Sequence, residues 1–327
     1  MSGQRTAKGK TLTIVVPVFN EAANVSALVE RIERSLAGID ESWSILFVDD
    51  GSNDGTVGQL RNFAQTNRRV EAIVLSRNFG KEAAMAAGLR HARGDAVVLM
   101  DADLQHPPEV IPKFLEAWRG GSEVVHGLRR GRVGESLPRS RLSKFFYRLF
   151  ARVSDLRIPK GATDFALLDR KAVDAMNTMG ERTRFTKGLI SWIGFRTSFV
   201  PFSVEMRNEG ETRWGLIKLV SYAIDAFSSF SSLPLKVWSY IGVAVSAGAI
   251  GYAIYFAIQT MVLGIDVPGF PSLIVSITFF AGVQLISLGV LGEYVARLFE
   301  EAKQRPLYLV TERIREDEPR TSSAETS

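Results

Sequence analysis

The chain has 327 residues, 46% of them hydrophobic, and a formal net charge of +5. That length suits a catalytic domain of ~200 residues plus a further module. It has no cysteine, which excludes disulfides and thiolate metal sites. His91, His106 and His126 do not fall at metal-ligand spacing, which argues against zinc and leaves oxygen ligands for any metal.

Residues 1–10 are polar and lead into a short apolar run that ends in Pro17-Val18-Phe19-Asn20-Glu21. A secretory signal would have a longer apolar region followed by small residues, so the first domain is expected to stay on the side where it is made. From 11 to 127 short β-rich runs alternate with helical patterns. The expected strands are 11–16, 44–48, 70–75, 95–100 and 123–126, and the expected helices 21–37, 54–67, 80–93 and 107–119. Strand–helix alternation predicts an α/β fold, a mostly parallel sheet with helices on both faces. Ligands bind such sheets at the carboxyl ends of the strands. The polar motifs fall there: Asn20-Glu21, Asp49-Asp50-Gly51-Ser52, Arg77-Asn78 and Asp101-Ala102-Asp103.

Further on, Leu142, Phe145, Phe146, Leu149, Phe150 and Val153 recur at helical spacing, interleaved with Arg141, Lys144, Arg148 and Arg152. A basic amphipathic helix of this kind suits a headgroup layer. A second stretch of mixed character lies within 206–234. Residues 237–263 and 273–292 then run without a charge, each long enough to cross a ~30 Å hydrocarbon core. Basic residues flank them outside, Lys236 before and Arg297, Lys303 and Arg305 after. The positive-inside rule therefore places the link on the far side and both termini in the cytoplasm. The expected organisation is a tail at 1–10, a catalytic domain at 11–205 and an amphipathic juxtamembrane segment at 206–234. Spans follow at 235–263 and 273–293, joined by a link at 264–272, with a juxtamembrane segment at 294–310 and a disordered tail at 311–327.

The pair Asp101 and Asp103, followed by Gln105, closes an apolar strand. Carboxylates there suit Mg²⁺ or Mn²⁺ shared with phosphate oxygens. In the run from Asp49 to Thr56, the glycines permit close backbone approach, Asp50 offers hydrogen bonds to a base or ribose, and Asn53 or Asp54 can cap a helix.

Segments 16–21, 49–56, 76–80 with Lys81, and 101–108 resemble, in order and spacing, the family-2 glycosyltransferases of GT-A fold. Gly127-Leu128-Arg129, the basic-aromatic stretch 139–147, the motif 163–170 and the motif 291–297 resemble the polyprenyl-phosphate glycosyltransferases among them. The resemblance covers about 11–310, with one departure: Ala166 stands where relatives often carry arginine. It implies Asp101, Asp103 and Gln105 at the metal and diphosphate, and Pro17, Phe19, Glu21, Asp49, Asp50, Ser52 and Lys81 at the nucleotide-sugar. It implies Arg129, Arg139, Ser143 and Arg213 at the acceptor phosphate, and Asp164 as an active-site carboxylate by the sugar. The implied reaction is inverting transfer of a hexose, with UDP-glucose the preferred donor, to undecaprenyl phosphate. The implied enzyme sits in a bacterial inner membrane with its catalytic domain in the cytoplasm. A homo-oligomer is expected, and no nucleic-acid partner.

Alternatives are a GDP-mannose donor, a processive polysaccharide synthase, or a non-catalytic scaffold. Two spans do not enclose a pore, and Arg213-Trp214 lacks the glutamine of the synthase motif. The intact Asp101/Asp103 pair argues against a scaffold.

Overall fold

The first strand, β1 (Thr11–Val18), is almost continuously buried, as expected of a β-branched run covered on both faces. It pairs in parallel with β2 (Ser42–Asp49) and β4 (Ala96–Leu99), and β2 pairs in parallel with β3 (Val70–Leu75). The computed structural model describes residues 9–129, 162–182, 184–203 and 269–315, with a scatter of helical residues between 242 and 262.

Successive strand residues point to opposite faces, and the two faces of β1 take different partners. Leu12, Ile14 and Val16 join Val25, Leu28 and Ile32 of α1 (Ala22–Leu36), Leu60 of α2 (Thr56–Thr66) and Phe114 of α4 (Ile111–Arg119) in one core. Val15 faces α3 (Lys81–His91) on the other side, where a Cβ at Gly88 would overlap Val15 Cγ1. The small residues of α3 let it lie close on the sheet, and Ala83 through Leu89 are all buried. A 3₁₀ turn at Pro108–Val110 leads into α4.

The sheet has eight strands in the order β7-β5-β6-β4-β1-β2-β3-β8. Around β4-β1-β2-β3 it is parallel, as expected. The rest is mixed: β6 (Ala162–Asp169) runs antiparallel between β4 and β5 (Val124–Arg129), and β7 (Thr197–Phe202) pairs in parallel with β5. The sequence patterns did not mark β6 or β7 as strands. Two helices, α5 (Arg170–Thr178) and α6 (Thr186–Trp192), follow β6.

The expected tail at 311–327 needs correction at its start, because β8 (Val310–Ile314) pairs antiparallel with β3. Its charges suggested disorder, yet they meet partners. Glu312 takes both Arg61 Nε and Nη2, and Arg315 lies 2.8 Å from Glu71. Ile314 is 8% exposed and joins the core.

A second compact unit comprises residues 215–304 with 152–154. Its described long helix, α7 (Phe270–Ala302), has Pro271 in the first turn, so helix begins within the segment expected as the link and runs past 293, the expected end of the second span. Phe279–Ala296 is long and apolar enough to cross a membrane. Most of the expected first span lies outside the described residues; those described are helical, and all but Val245 are exposed, among them Tyr255 and Met261. The amphipathic helix expected over 142–153 and the segment at 206–234 also lie outside them.

Candidate active site

At the carboxyl ends of the parallel strands, the loops are tied to one another. Asn20, at φ 55°, donates its N–H to Ser52 Oγ at 2.9 Å and accepts from Asn53 N at 3.0 Å. Glu21 N donates to Thr56 Oγ1, and Asp54 accepts from Ala22 N and Thr56 N. Gly51 sits at φ +72°, and a Cβ there would lie 2.5 Å from Arg77 C. Only glycine combines that conformation with that approach.

Asp50 is almost wholly buried and accepts from Phe79 N at 2.7 Å and Gly80 N at 2.9 Å. Burial pushes its carboxyl up, against those two bonds. Asp49 is fully buried and accepts from Ser52 N. Asp50 therefore ties its loop to the backbone of the next one, and Asp49 holds the backbone of its own. The expectation for Asp50 is contact with a base or ribose; its partners within the protein are these two N–H groups. Phe19 is 43% exposed beside these loops, and Pro17 and Glu21 are partly exposed.

Charge concentrates one step along the sheet. Lys81, first residue of α3, places Nζ 2.5 Å from Asp101 Oδ1 at the end of β4 and 2.9 Å from Asp164 Oδ2 on β6. Lys187, on α6, reaches Asp164 Oδ1 at 3.5 Å. Burial raises Asp164, but Lys187 and Lys81 outweigh it and hold the carboxyl below the usual range. Burial lowers Lys81, but Asp101 and Asp164 outweigh it and raise its ammonium. Glu82, next to Lys81, accepts from both Thr186 N and Thr186 Oγ1. The starts of α3 and α6 are thus joined twice, by Glu82 to Thr186 and by Asp164 to the two lysines.

The turn after β4 is shaped by its own side chains. His106 Nδ1 accepts from Asp101 N at 3.1 Å, and Asp103 Oδ1 accepts from Gln105 N at 3.1 Å, with Leu104 at φ 59°. His106 is buried, stacks on Phe165 at 5.1 Å, and is held neutral by burial above all. Its Nδ1 lies 3.7 Å from Asp101 Oδ2, but an Nδ1 that accepts a hydrogen bond carries no proton, so this contact is no ion pair. His126 on β5 is buried against Phe199, and burial followed by Lys187 pushes it down to about 4.

Asp101, Asp103 and Gln105 form an all-oxygen donor set on one turn. Among the described residues no three His, Asp or Glu side chains gather into a cage. Mg²⁺ is ordinarily held by one or two carboxylates together with substrate phosphates, so two carboxylates fit a cation that arrives with a nucleoside diphosphate. Arg129 ends β5. Arg139, Ser143 and Arg213 lie outside the described residues. Ala166 is fully buried across from Leu99 and His126.

Lys187, Glu82 and Thr186 carried no sequence signal. Lys187 and Thr186 stand in a stretch without a motif, and only the fold brings them to Lys81 and Asp164.

Residues 13–176 match the pattern described as Glycosyl transferase family 2. A Synechocystis protein described as an uncharacterized glycosyltransferase is 46% identical over 301 residues, 92% of this chain and 95% of its own. The bactoprenol glucosyl transferase of Shigella phage SfV is 38% identical over 299 residues, 91% of this chain and 97% of its own. A crystal structure of Mycobacterium tuberculosis glucosyl-3-phosphoglycerate synthase with Mn²⁺, UDP and product is similar with a TM-score of 0.46 and 19% identity, over 67% of this chain and 78% of that one. With the family pattern running through the motifs at all four strand ends, and relatives 46% and 38% identical over 92% and 91% of its length, the chain belongs to glycosyl transferase family 2 and is a glycosyltransferase, with bactoprenol glucosyl transferases among its relatives.

Proposed function

We propose that this enzyme transfers a hexose from UDP-glucose to the phosphate of a polyprenyl phosphate such as undecaprenyl phosphate, with inversion, at the cytoplasmic face of the membrane. The observation that carries the reading is the cluster of Lys81, Asp101 and Asp164 beside Asp103, in a chain with a helix long and apolar enough to span. Its likeness to a bactoprenol glucosyl transferase supports the acceptor and the sugar.

Asp101, Asp103 and Gln105 would hold a divalent cation, which would supply positive charge to the leaving diphosphate. Lys81 sits beside Asp101 and adds a fixed ammonium there. Pro17, Phe19, Glu21 and Ser52 border the nucleotide pocket, with the ring of Phe19 exposed for a base. Asp49 and Asp50 hold the loops of that pocket from behind. An acceptor oxygen attacks the anomeric carbon, the bond from that carbon to the diphosphate breaks, and UDP leaves. The acceptor monoester has a second pKa of about 6 and is largely dianionic at neutral pH, so it needs no general base. Asp164 then orients Lys81 and Lys187, while Arg129, with Arg139, Ser143 and Arg213, meets the acceptor phosphate.

The pairing of β8 with β3 supports the proposed topology, because the segment after α7 must lie on the same side of a membrane as the catalytic sheet. The basic residues Arg297, Lys303 and Arg305 assign that side to the cytoplasm.

The test is a donor panel with membranes containing the enzyme and undecaprenyl phosphate, reading label into the lipid phase. UDP-glucose should lead, Asp103→Asn should lower transfer at least ~100-fold while the protein stays folded, and EDTA should abolish transfer. Full transfer in EDTA sinks the metal assignment, and label from GDP-mannose alone sinks the donor.

A further inference from the structure

Away from the transfer centre, α3, the chain after α5 and the segment before β8 enclose a cleft of about 220 Å³. Arg90, Asn177, Met179, Glu181, Arg184 and Tyr308 are among its walls. Arg90 stands in the last turn of α3 and Lys81 in its first, about 14 Å apart along the axis at 1.5 Å per residue.

Among the described residues the two guanidinium groups are tied only to backbone oxygens. Arg90 Nη1 donates to Asn177 O at 3.4 Å, while Arg184 donates to Glu181 O at 3.3 Å and to Met179 O at 2.6 Å. These bonds fix the groups without neutralising them. The Glu181 side chain is exposed, and it is the acid among the six. Tyr308 stacks edge-on with His91 at 6.3 Å and adds a hydroxyl to the wall. Burial leads in pushing His91 down to about 4, and Arg313, Arg315, Arg90 and Arg93 push the same way. The neighbourhood is therefore strongly positive. Glu181 and Glu82 act on Arg184 from a distance, but among the described residues neither guanidinium makes an ion pair; partly buried arginines so placed in a cleft suit an anionic ligand, and the planar guanidinium matches phosphate oxygens.

We propose that this cleft binds a phosphate group on Arg90 and Arg184, as a second anion site separate from the transfer centre. Two sources have that chemistry, a free phosphate and an anionic phospholipid headgroup. Pro306 follows the last residue of α7 by four positions, so one wall of the cleft belongs to the chain that leaves the apolar helix.

The test uses the full chain in nonionic detergent and reads its thermal midpoint. One arm titrates inorganic phosphate, and the other adds phosphatidylglycerol against phosphatidylcholine. At tenfold saturation the wild type should gain about 3–5 °C. Arg90→Gln should weaken the response at least about threefold, and Arg90→Gln with Arg184→Gln should abolish it. The difference between wild type and variant isolates this cleft from phosphate bound at the transfer centre. Arg184 also ties a turn, so Arg90→Gln, which loses one long hydrogen bond, keeps the test valid if the double variant does not fold. Response to phosphate alone assigns a free anion; response to phosphatidylglycerol beyond phosphatidylcholine assigns a headgroup. Variants that titrate like the wild type, or a wild type that responds to neither, overturn the proposal. Arg90→Gln should still transfer sugar in neutral detergent, so this outcome is independent of the proposed reaction.

Discussion

Replacing Asp164 by asparagine separates positioning from proton transfer at this site. Asp164 faces two ammonium groups, Lys81 at 2.9 Å and Lys187 at 3.5 Å. At an effective dielectric of about 20, each pair is worth about 5 kcal/mol of gross Coulomb energy. Desolvation cancels most of that, and a charge-assisted hydrogen bond leaves about 1.5–3 kcal/mol net. Asparagine is isosteric and can still accept from one lysine. Lys81 would keep Asp101, and Lys187 would lose its charge partner here. If Asp164 acts by holding the lysines, kcat should fall about 10- to 100-fold, matching that energy at 1.36 kcal/mol per tenfold. Apparent KM for the donor should move by less than about threefold. The thermal midpoint should drop by about 2–6 °C. The assay is initial-rate transfer to polyprenyl phosphate in detergent across pH 5 to 9, with the midpoint measured on the same preparations. Because Asp164 is held below the usual carboxylate range, the wild-type kcat profile should show no limb from it in that window. A limb near pH 6–7 that vanishes in Asp164→Asn would make Asp164 a titrating base and refute the argument. So would a folded variant with the kcat of the wild type.

Three further outcomes are expected. His126 is charged in the unfolded chain below about pH 6.5 but stays neutral in the folded one down to about 4. The unfolded state thus binds more protons in that window, stability falls as pH falls through it, and His126 accounts for about 2 kcal/mol between pH 6.5 and 5. Thermal midpoints of His126→Leu should therefore be flatter over that range than those of the wild type, and identical slopes would exclude this role. Ile314→Ala on β8 should lower stability by about 2 kcal/mol in thermal melts, whereas a residue in a disordered tail would cost nothing. A cysteine at Asp266, in a chain with no native cysteine, should react with an impermeant thiol reagent from outside the cell, and a cysteine at Ser2 should not; the reverse pattern overturns the topology.

The parallel half of the sheet, and what stands at its strand ends, follow from the amino-acid pattern alone. Apolar β-branched runs alternating with amphipathic helices admit few topologies, and in those the polar residue after each strand faces the ligand. The placement of Asp101 and Asp103 after β4 was legible for that reason, as was the long apolar helix, whose uncharged run needs no partner to be recognised. Tertiary structure decided the rest, because it depends on pairing between distant segments. Strand β6 enters antiparallel between β4 and β5, and this carries Asp164 to Lys81. Lys187 reaches the same carboxylate from α6, a short helix with no periodic or motif signal. Asp49 and Asp50 were legible at the end of β2, yet their partners within the protein were not: only the fold brings the N–H groups of Phe79 and Gly80 to Asp50. The segment 311–314 read as part of a charged tail because composition counts charges without their partners. Arg61 and Glu71, far away in the chain, supply partners to Glu312 and Arg315 there, and the segment becomes an edge strand of the sheet beside β3.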